Sequence, residues 1–253
     1  MASCEALAGL TALLCLIQLG HTGHTESVNS KIIGGHESLP HSKPWMAYIT
    51  YSNEDGDTLV CGGFLIRKDL VMTAAHCFGR NTRVSLGLHS VGERNEQNTF
   101  SVLIYYRHSN YDSNTHESDI MILQIKRPVH LNDAIQIIGL PAKNKRVAVG
   151  TTCNVAGWGK IRNDMVSLVL MEVNVTVVNR RKCQEILNIS ISDSMMCAGT
   201  PGTKGDAAEG DSGGPLVCDS IATGIVSFGK EKPPGVYTQI SSFLPWIRKI
   251  MSG

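Results

Sequence analysis

The sequence predicts a mostly β fold closed by one C-terminal helix. Three observations carry this expectation: short apolar segments separated by Gly, Asn, Asp and Pro, one segment of strict apolar–polar alternation, and one stretch of helical spacing near the C-terminus. VSLGLHSV at 84–91, FSVLIYY at 100–106, DIMILQI at 119–125 and ATGIVSF at 222–228 each have strand length and end at turn-forming residues. In EVNVTV at 172–177, Val173, Val175 and Val177 fall on one face and Glu172, Asn174 and Thr176 on the other, the pattern of a half-buried strand. Phe243, Trp246, Ile247 and Ile250 follow i, i+3, i+4 and i+7, which makes one apolar helix face. Arg248 and Lys249 sit in its final turns, where cations complement the helix dipole. No repeat of fixed period and no low-complexity segment interrupts this pattern.

Composition narrows the function classes. The chain has 253 residues, 42% of them hydrophobic and 18% charged, with a net charge of +1. The charged fraction lies below the roughly 25% of ordinary soluble domains, which excludes a disordered chain and a basic nucleic-acid-binding tail. Residues 6–20, ALAGLTALLCLIQLG, carry no charge, and a polar stretch follows them. They read as the apolar region of a secretory signal ending near residue 23. The run is shorter than the ~20 residues a membrane helix needs, and no later segment approaches that length, so no membrane partner is expected.

Removal of the signal would take away Cys4 and Cys15 and leave six cysteines: Cys61, Cys77, Cys153, Cys183, Cys197 and Cys218. An even number in an exported chain implies disulfides, and the absence of any CxxC pair argues against zinc. Six cysteines allow about 15 connectivities, and spacing alone does not choose among them.

The chemistry-bearing segments are TAAHC at 73–77, SDIMIL at 118–123 and GDSGGP at 210–215. A serine hydroxyl is a poor nucleophile near neutral pH and needs a base to take its proton; an imidazole base needs a carboxylate to fix its tautomer. His76, Asp119 and Ser212 supply these three groups in that chain order. Any one of them alone is a weak signal, since nine histidines occur and a His beside a Cys is commonly structural.

Together with IIGG at 32–35, AGWG at 156–159, SFG at 227–229 and PGVYT at 234–238, these segments follow the order found in chymotrypsin-like serine proteases. The chain resembles that family from Ile32 to its C-terminus, and IIGGHESLPHSKPWMAYI is most similar to the granzyme and mast-cell protease group. The resemblance implies two six-stranded antiparallel barrels with the active site in the cleft between them. It implies that His76 is general base and then general acid, that Asp119 orients it, and that Ser212 attacks the scissile carbonyl, with the N–H groups of Gly210 and Ser212 as the oxyanion hole. It also implies the pairings Cys61 to Cys77, Cys153 to Cys218 and Cys183 to Cys197. No cofactor is implied. The expected partners are protein or peptide substrates, an activating protease and protein protease inhibitors, met by a monomer.

The resemblance divides the chain into a signal at 1–23, an activation propeptide at 24–31 and a protease domain at 32–253. Cleavage after Lys31 would give Ile32 a free ammonium able to pair with the Asp211 carboxylate, ordering the oxyanion loop; the full-length chain would then be a zymogen. That cut leaves 222 residues and moves the net charge from +1 to +2, since one lysine and two glutamates depart. The charge is lower than the strongly basic surfaces of granule proteases, which leaves both constitutive secretion and granule storage open.

Asp206, six residues before the nucleophile, stands where trypsin-like members carry the floor of the primary pocket, and Gly229 and Gly235 stand where a long side chain needs room. These imply cleavage after Arg or Lys, with Ser227, Phe228 and Gly229 along the substrate-binding strand. Two departures favour a chymase- or granzyme-like alternative: Ala208 replaces the cysteine usual near that pocket, and no cysteine follows Cys218. A catalytically silent binding relative is the alternative of a different class, and the presence of all three triad residues argues against it. Phe228 replaces the common Trp and keeps an apolar wall. Leu88 replaces a carboxylate of calcium-binding members, so no calcium site is expected there. HESD at 116–119 lacks a third ligand nearby and is not read as a metal site. Asn174-Val-Thr and Asn188-Ile-Ser are glycosylation sequons; the alternation turns Asn174 outward.

Overall fold

The computed structural model describes residues 35–143, 145–160, 165–199, 211–229 and 233–253. Six strands form a closed first barrel: β2 (Met46–Ser52), β3 (Thr58–Arg67), β4 (Leu70–Thr73), β5 (Arg80–Leu86), β6 (Thr99–Arg107) and β7 (Met121–Ile125), in the order β2-β3-β4-β7-β6-β5. The second barrel comprises β8 (Thr152–Gly157), β9 (Met171–Val178), β10 (Met195–Gly199), β11 (Pro215–Cys218), β12 (Ile221–Phe228) and β13 (Gly235–Gln239). Its order is β9-β10-β13-β12-β11-β8, and the pairing of β8 with β9 closes it. A two-residue strand, β1 (His36–Glu37), adds to β9 outside the ring. All named pairs are antiparallel. Closure leaves few free strand edges.

Alternation is realised where the sequence shows it. Val173, Val175 and Val177 of β9 are buried, and Asn174 is exposed between them. The expected strand at 84–91 stops earlier, at Leu86, because Gly87 has a φ of +74° that breaks the ladder. Likewise β7 begins at Met121 and not at Asp119, since Ser118 takes a left-handed φ of 56° and turns the chain into the strand. The C-terminal helix, α2 (Leu244–Met251), buries Leu244 and Ile247.

A second helix, α1 (Arg180–Leu187), corrects the expectation of a single one. Its sequence, RRKCQEIL, buries only Cys183 and Leu187, one turn apart, too sparse a stripe to show as periodicity. Asn179 caps it by accepting hydrogen bonds from Arg181 N at 2.9 Å and Lys182 N at 3.4 Å, and left-handed Asn188 ends it. The Cys183–Cys197 disulfide ties the helix to β10; the other two disulfides are Cys61–Cys77 and Cys153–Cys218.

The barrels are joined by packing as well as by chain. Met46, Tyr48 and Leu88 of the first half form one buried cluster with Ala156, Trp158 and Leu170 of the second. Trp158 meets Tyr48 edge-on at 5.5 Å, and its indole N–H donates to His89 O at 3.0 Å. Leu88, expected to exclude calcium, is buried in this seam. The helix α2 returns to the first barrel: Leu244 and Ile247 share a core with strands β2 to β7, and Arg67 Nη1 donates to Met251 O at 2.6 Å. The cleft between the barrels is therefore held in shape from both sides.

Candidate active site

His76 lies in a single 3-10 turn, Ala75–Cys77, that follows β4. The Cys61–Cys77 disulfide fixes that turn to β3, and buried Ala74 and Ala75 let it sit close against the barrel. Asp119 reaches the turn from the loop before β7. Its Oδ1 accepts the backbone N–H of His76 at 3.0 Å, and its Oδ2 lies 2.7 Å from His76 Nδ1. The carboxylate is fully buried. Burial alone would raise its pKa; hydrogen bonding and charge from His76, together with the Ser227 hydroxyl, outweigh that and hold it below the usual carboxylate range.

Two side chains of the second barrel complete this anchor. Ser227 Oγ on β12 donates to Asp119 Oδ2 at 2.5 Å, and Thr238 Oγ1 on β13 donates to Asp119 O at 2.8 Å. Sequence reasoning assigned Ser227 to substrate binding and missed both contacts, which depend on strand pairing and carry no local motif. A carboxyl with a depressed folded pKa stabilises above its unfolded pKa, near 4, and that stabilisation is lost as pH falls through the folded value. Ser227→Ala is therefore expected to lose about 2 kcal/mol at pH 7, or about 4–8 °C in Tm, and the loss should shrink as pH falls below about 4 and through the folded value. Thermal melts over a series of falling pH values check this; a loss that never shrinks while both proteins stay folded would contradict it.

Ser212 stands in the turn that leads into β11, and both barrels hold that turn. Gly62 N of β3 donates to Ser212 O at 2.7 Å, and Gly213 N donates to Val226 O of β12 at 2.8 Å. Gly213 has a φ of +83°, and a Cβ there would lie 2.1 Å from Thr73 Oγ1 and 2.6 Å from Gly62 O. Only glycine meets both conditions.

Asp211, beside Ser212, is fully buried, and its Oδ1 accepts Gly159 N at 2.8 Å. Gly157 and Gly159 make the space: a Cβ on the first would lie 2.1 Å from Oδ1, and on the second 2.6 Å from the carboxyl carbon. AGWG at 156–159 thus lines the slot of this carboxylate, a role its sequence alone did not reveal.

Ser227 and Phe228 end β12, and Gly229 follows them beside Gly235 of β13. A Cβ on Gly229 would approach Gly235 Cα at 3.7 Å, so the two glycines face each other. The Phe228 ring lies 4.8 Å from that of His116, whose own ring is 6.1 Å from His76, a proximity that sequence reading did not reveal. Its backbone is left-handed, with a φ of 56°. Among the described residues the one cluster with metal-ligand geometry is Cys61, His76 and Cys77, and its cysteines are joined as a disulfide, which leaves no thiolate to bind an ion. Lys31, Ile32, Asp206 and Gly210 lie outside the described residues, as do Ala208 and the signal. Both sequon asparagines, Asn174 and Asn188, are exposed, and Asn174 Oδ1 accepts from Asn154 Nδ2 at 3.1 Å across the β8–β9 pair.

Comparison with known proteins places the site in context. The trypsin family model matches residues 32–247. Mast cell protease 3 of Ovis aries is 44% identical over 225 residues, covering 87% of this chain and 89% of its own. Cathepsin G of Homo sapiens is 43% identical over 87% of this chain and 88% of its own. The solved structure of GrC superposes with a TM-score of 0.82 at 38% identity, over 88% of this chain and all of that one.

Proposed function

The chain belongs to the trypsin family of chymotrypsin-like serine proteases, of the granzyme and mast cell protease type, and from this we propose that it is an endopeptidase whose triad is His76, Asp119 and Ser212. The observation that carries the assignment is the Asp119 carboxylate, buried and within 2.7 Å of His76 Nδ1. A proton on Nδ1 donated to that carboxylate leaves Nε2 as the basic nitrogen, the tautomer required to accept the Ser212 proton. Ser212 Oγ attacks the scissile carbonyl, and the N–H groups of Ser212 and Gly210 receive the oxyanion. The imidazolium, stabilised by Asp119, then protonates the leaving amine. A water enters by the same base, and the acyl-enzyme is hydrolysed.

The chain is proposed to be made as a secreted zymogen, with residues 1–23 as signal and 24–31 as propeptide. Cleavage after Lys31 frees the Ile32 ammonium, which pairs with Asp211 and orders the oxyanion strand. The buried position of Asp211 in the slot lined by Gly157 and Gly159 supports this reading. The names of the mast cell and granzyme relatives favour storage in a secretory granule. The exposed Asn174 and Asn188 are proposed as glycan acceptors, and a mobility shift on glycosidase treatment reports their occupancy.

Primary specificity is proposed for Arg and Lys, with Asp206 as the pocket floor. The facing Gly229 and Gly235 support a pocket open to a long side chain. A second reading, chymase- or granzyme-like specificity, is favoured by the three-disulfide set together with Ala208, which stands where trypsin-like members carry a cysteine. A panel of short chromogenic peptides, presented to protein cut after Lys31, separates the two. Turnover of Arg and Lys peptides at least about 10-fold above Phe, Leu, Met and Asp peptides is expected, a gap of about 1.4 kcal/mol in transition-state binding. Preference for an apolar or acidic residue would overturn the tryptic reading, and a Lys31→Gln chain that trypsin still activates would overturn the zymogen reading.

A further inference from the structure

The chain enters Asp119 through a strained turn. Ser118 is buried and left-handed, with a φ of 56°, a conformation that costs free energy for any residue with a side chain and persists only where its surroundings hold it. Its two neighbours in sequence are both tied to the second barrel. On one side the Glu117 carboxylate accepts the hydroxyl of Ser194; on the other, Thr238 Oγ1 donates to Asp119 O at 2.8 Å. The two hydroxyls come from paired strands: Ser194 directly precedes β10, Thr238 lies on β13 opposite Met195, and Gln239 N donates to Ser194 O at 2.7 Å. Ser194 is also fixed within its own turn, since Ser192 Oγ lies 2.9 Å from Ser194 Oγ and accepts Ser194 N at 3.3 Å.

These contacts differ in kind from that of Ser227. Ser227 bonds the carboxylate itself, whereas Thr238 and Ser194 bond the chain on either side of Ser118, and so set where the Asp119 side chain leaves the backbone. Thr238 is buried, and removal of its hydroxyl takes a donor from a buried carbonyl, a loss the turn can offset only by shifting. The tolerance is small. Asp119 Oδ2 lies 2.7 Å from His76 Nδ1, and a misplacement near 1 Å in a catalytic set costs up to about 100-fold in rate.

We propose that Thr238 and Ser194 are positioning residues for the reaction: their hydroxyls clamp the turn at Ser118 and so present Asp119 to His76. The proposal rests on the endopeptidase reading, and its test is arranged so that the two fail separately. Peptide cleavage by the activated parent is read first; its absence would overturn the endopeptidase reading and the clamp with it. All rates are measured well below the Tm of each variant, so that loss of folded protein does not enter. Thr238→Val, which keeps the shape and removes the hydroxyl, is expected to lower kcat about 10-fold with KM within about twofold, and Ser194→Ala to lower kcat about 3-fold. Thr238→Ser and Glu117→Gln leave a donor and an acceptor in place and should retain at least about half of the parental kcat. The deciding comparison repeats Thr238→Val in an Asp119→Asn chain, where the carboxylate is already gone. There it should change kcat by less than about twofold, because it acts through that carboxylate. Should Thr238→Val fail to fold, Ser194→Ala is carried through the same cycle. Parental kcat in both hydroxyl variants, or an equal fall with and without the Asp119 carboxylate, would overturn the proposal, since a residue that only supports the fold affects both chains alike.

Discussion

Ser212→Ala is expected to lower kcat by about 10⁶-fold, the loss found when the nucleophile of a Ser–His–Asp set is removed, with a much smaller change in KM. His76→Ala should cost about as much, and the double variant no more than either one. This non-additivity is the signature of residues acting as one unit, and single-turnover kinetics on a good peptide would report it. Losses that multiply in the double variant would mean that the two side chains work independently, which would contradict the triad reading.

Gly157→Ala is expected to bring the second largest loss, about 10²- to 10³-fold in kcat. The added methyl would lie 2.1 Å from Asp211 Oδ1, closer than any real contact. The carboxylate has no alternative place: it is fully buried, bonded to Gly159 N, and bounded by Gly159 on another side. Asp211 would have to turn, and its carbonyl, which accepts Gly214 N at 2.9 Å, would turn with it and carry Ser212 away. Loss of one oxyanion donor costs about 2.7–4 kcal/mol in the transition state, and overpacking adds about 1–3 kcal/mol of destabilisation. Gly92→Ala is the control, since its new methyl meets only Ser90 Oγ at 3.6 Å. Full activity in Gly157→Ala would show that the Asp211 slot does not govern the nucleophile.

The parts of the molecule legible in the sequence are those written in local pattern. The alternation of β9 placed Val173, Val175 and Val177 inside, and the spacing of Phe243, Trp246 and Ile247 marked α2. His76, Asp119 and Ser212 were visible because each sits in a motif whose neighbours are constrained: Cys77 by its disulfide, Ser118 by its left-handed turn, Gly213 by Thr73 and Gly62. What stayed hidden depends on contacts between distant strands. Thr238 and Ser227 reach Asp119 over more than 100 positions, and nothing near either residue in sequence encodes it. The helix α1 was hidden for another reason: its burial comes from one disulfide and one leucine, and periodicity needs more than two points. The slot of Asp211 was hidden because glycines act by the room they leave, and that room is visible only with the carboxylate in place.

Ser212 is expected to become a reactive nucleophile only on cleavage after Lys31, and labelling by a fluorophosphonate ester, located by mass spectrometry, reads this out. One label per chain on Ser212 is expected after cleavage, with labelling at least about 100-fold slower in the uncut chain and in His76→Ala. Labelling at equal rates before and after cleavage, or at a residue other than Ser212, would contradict the account.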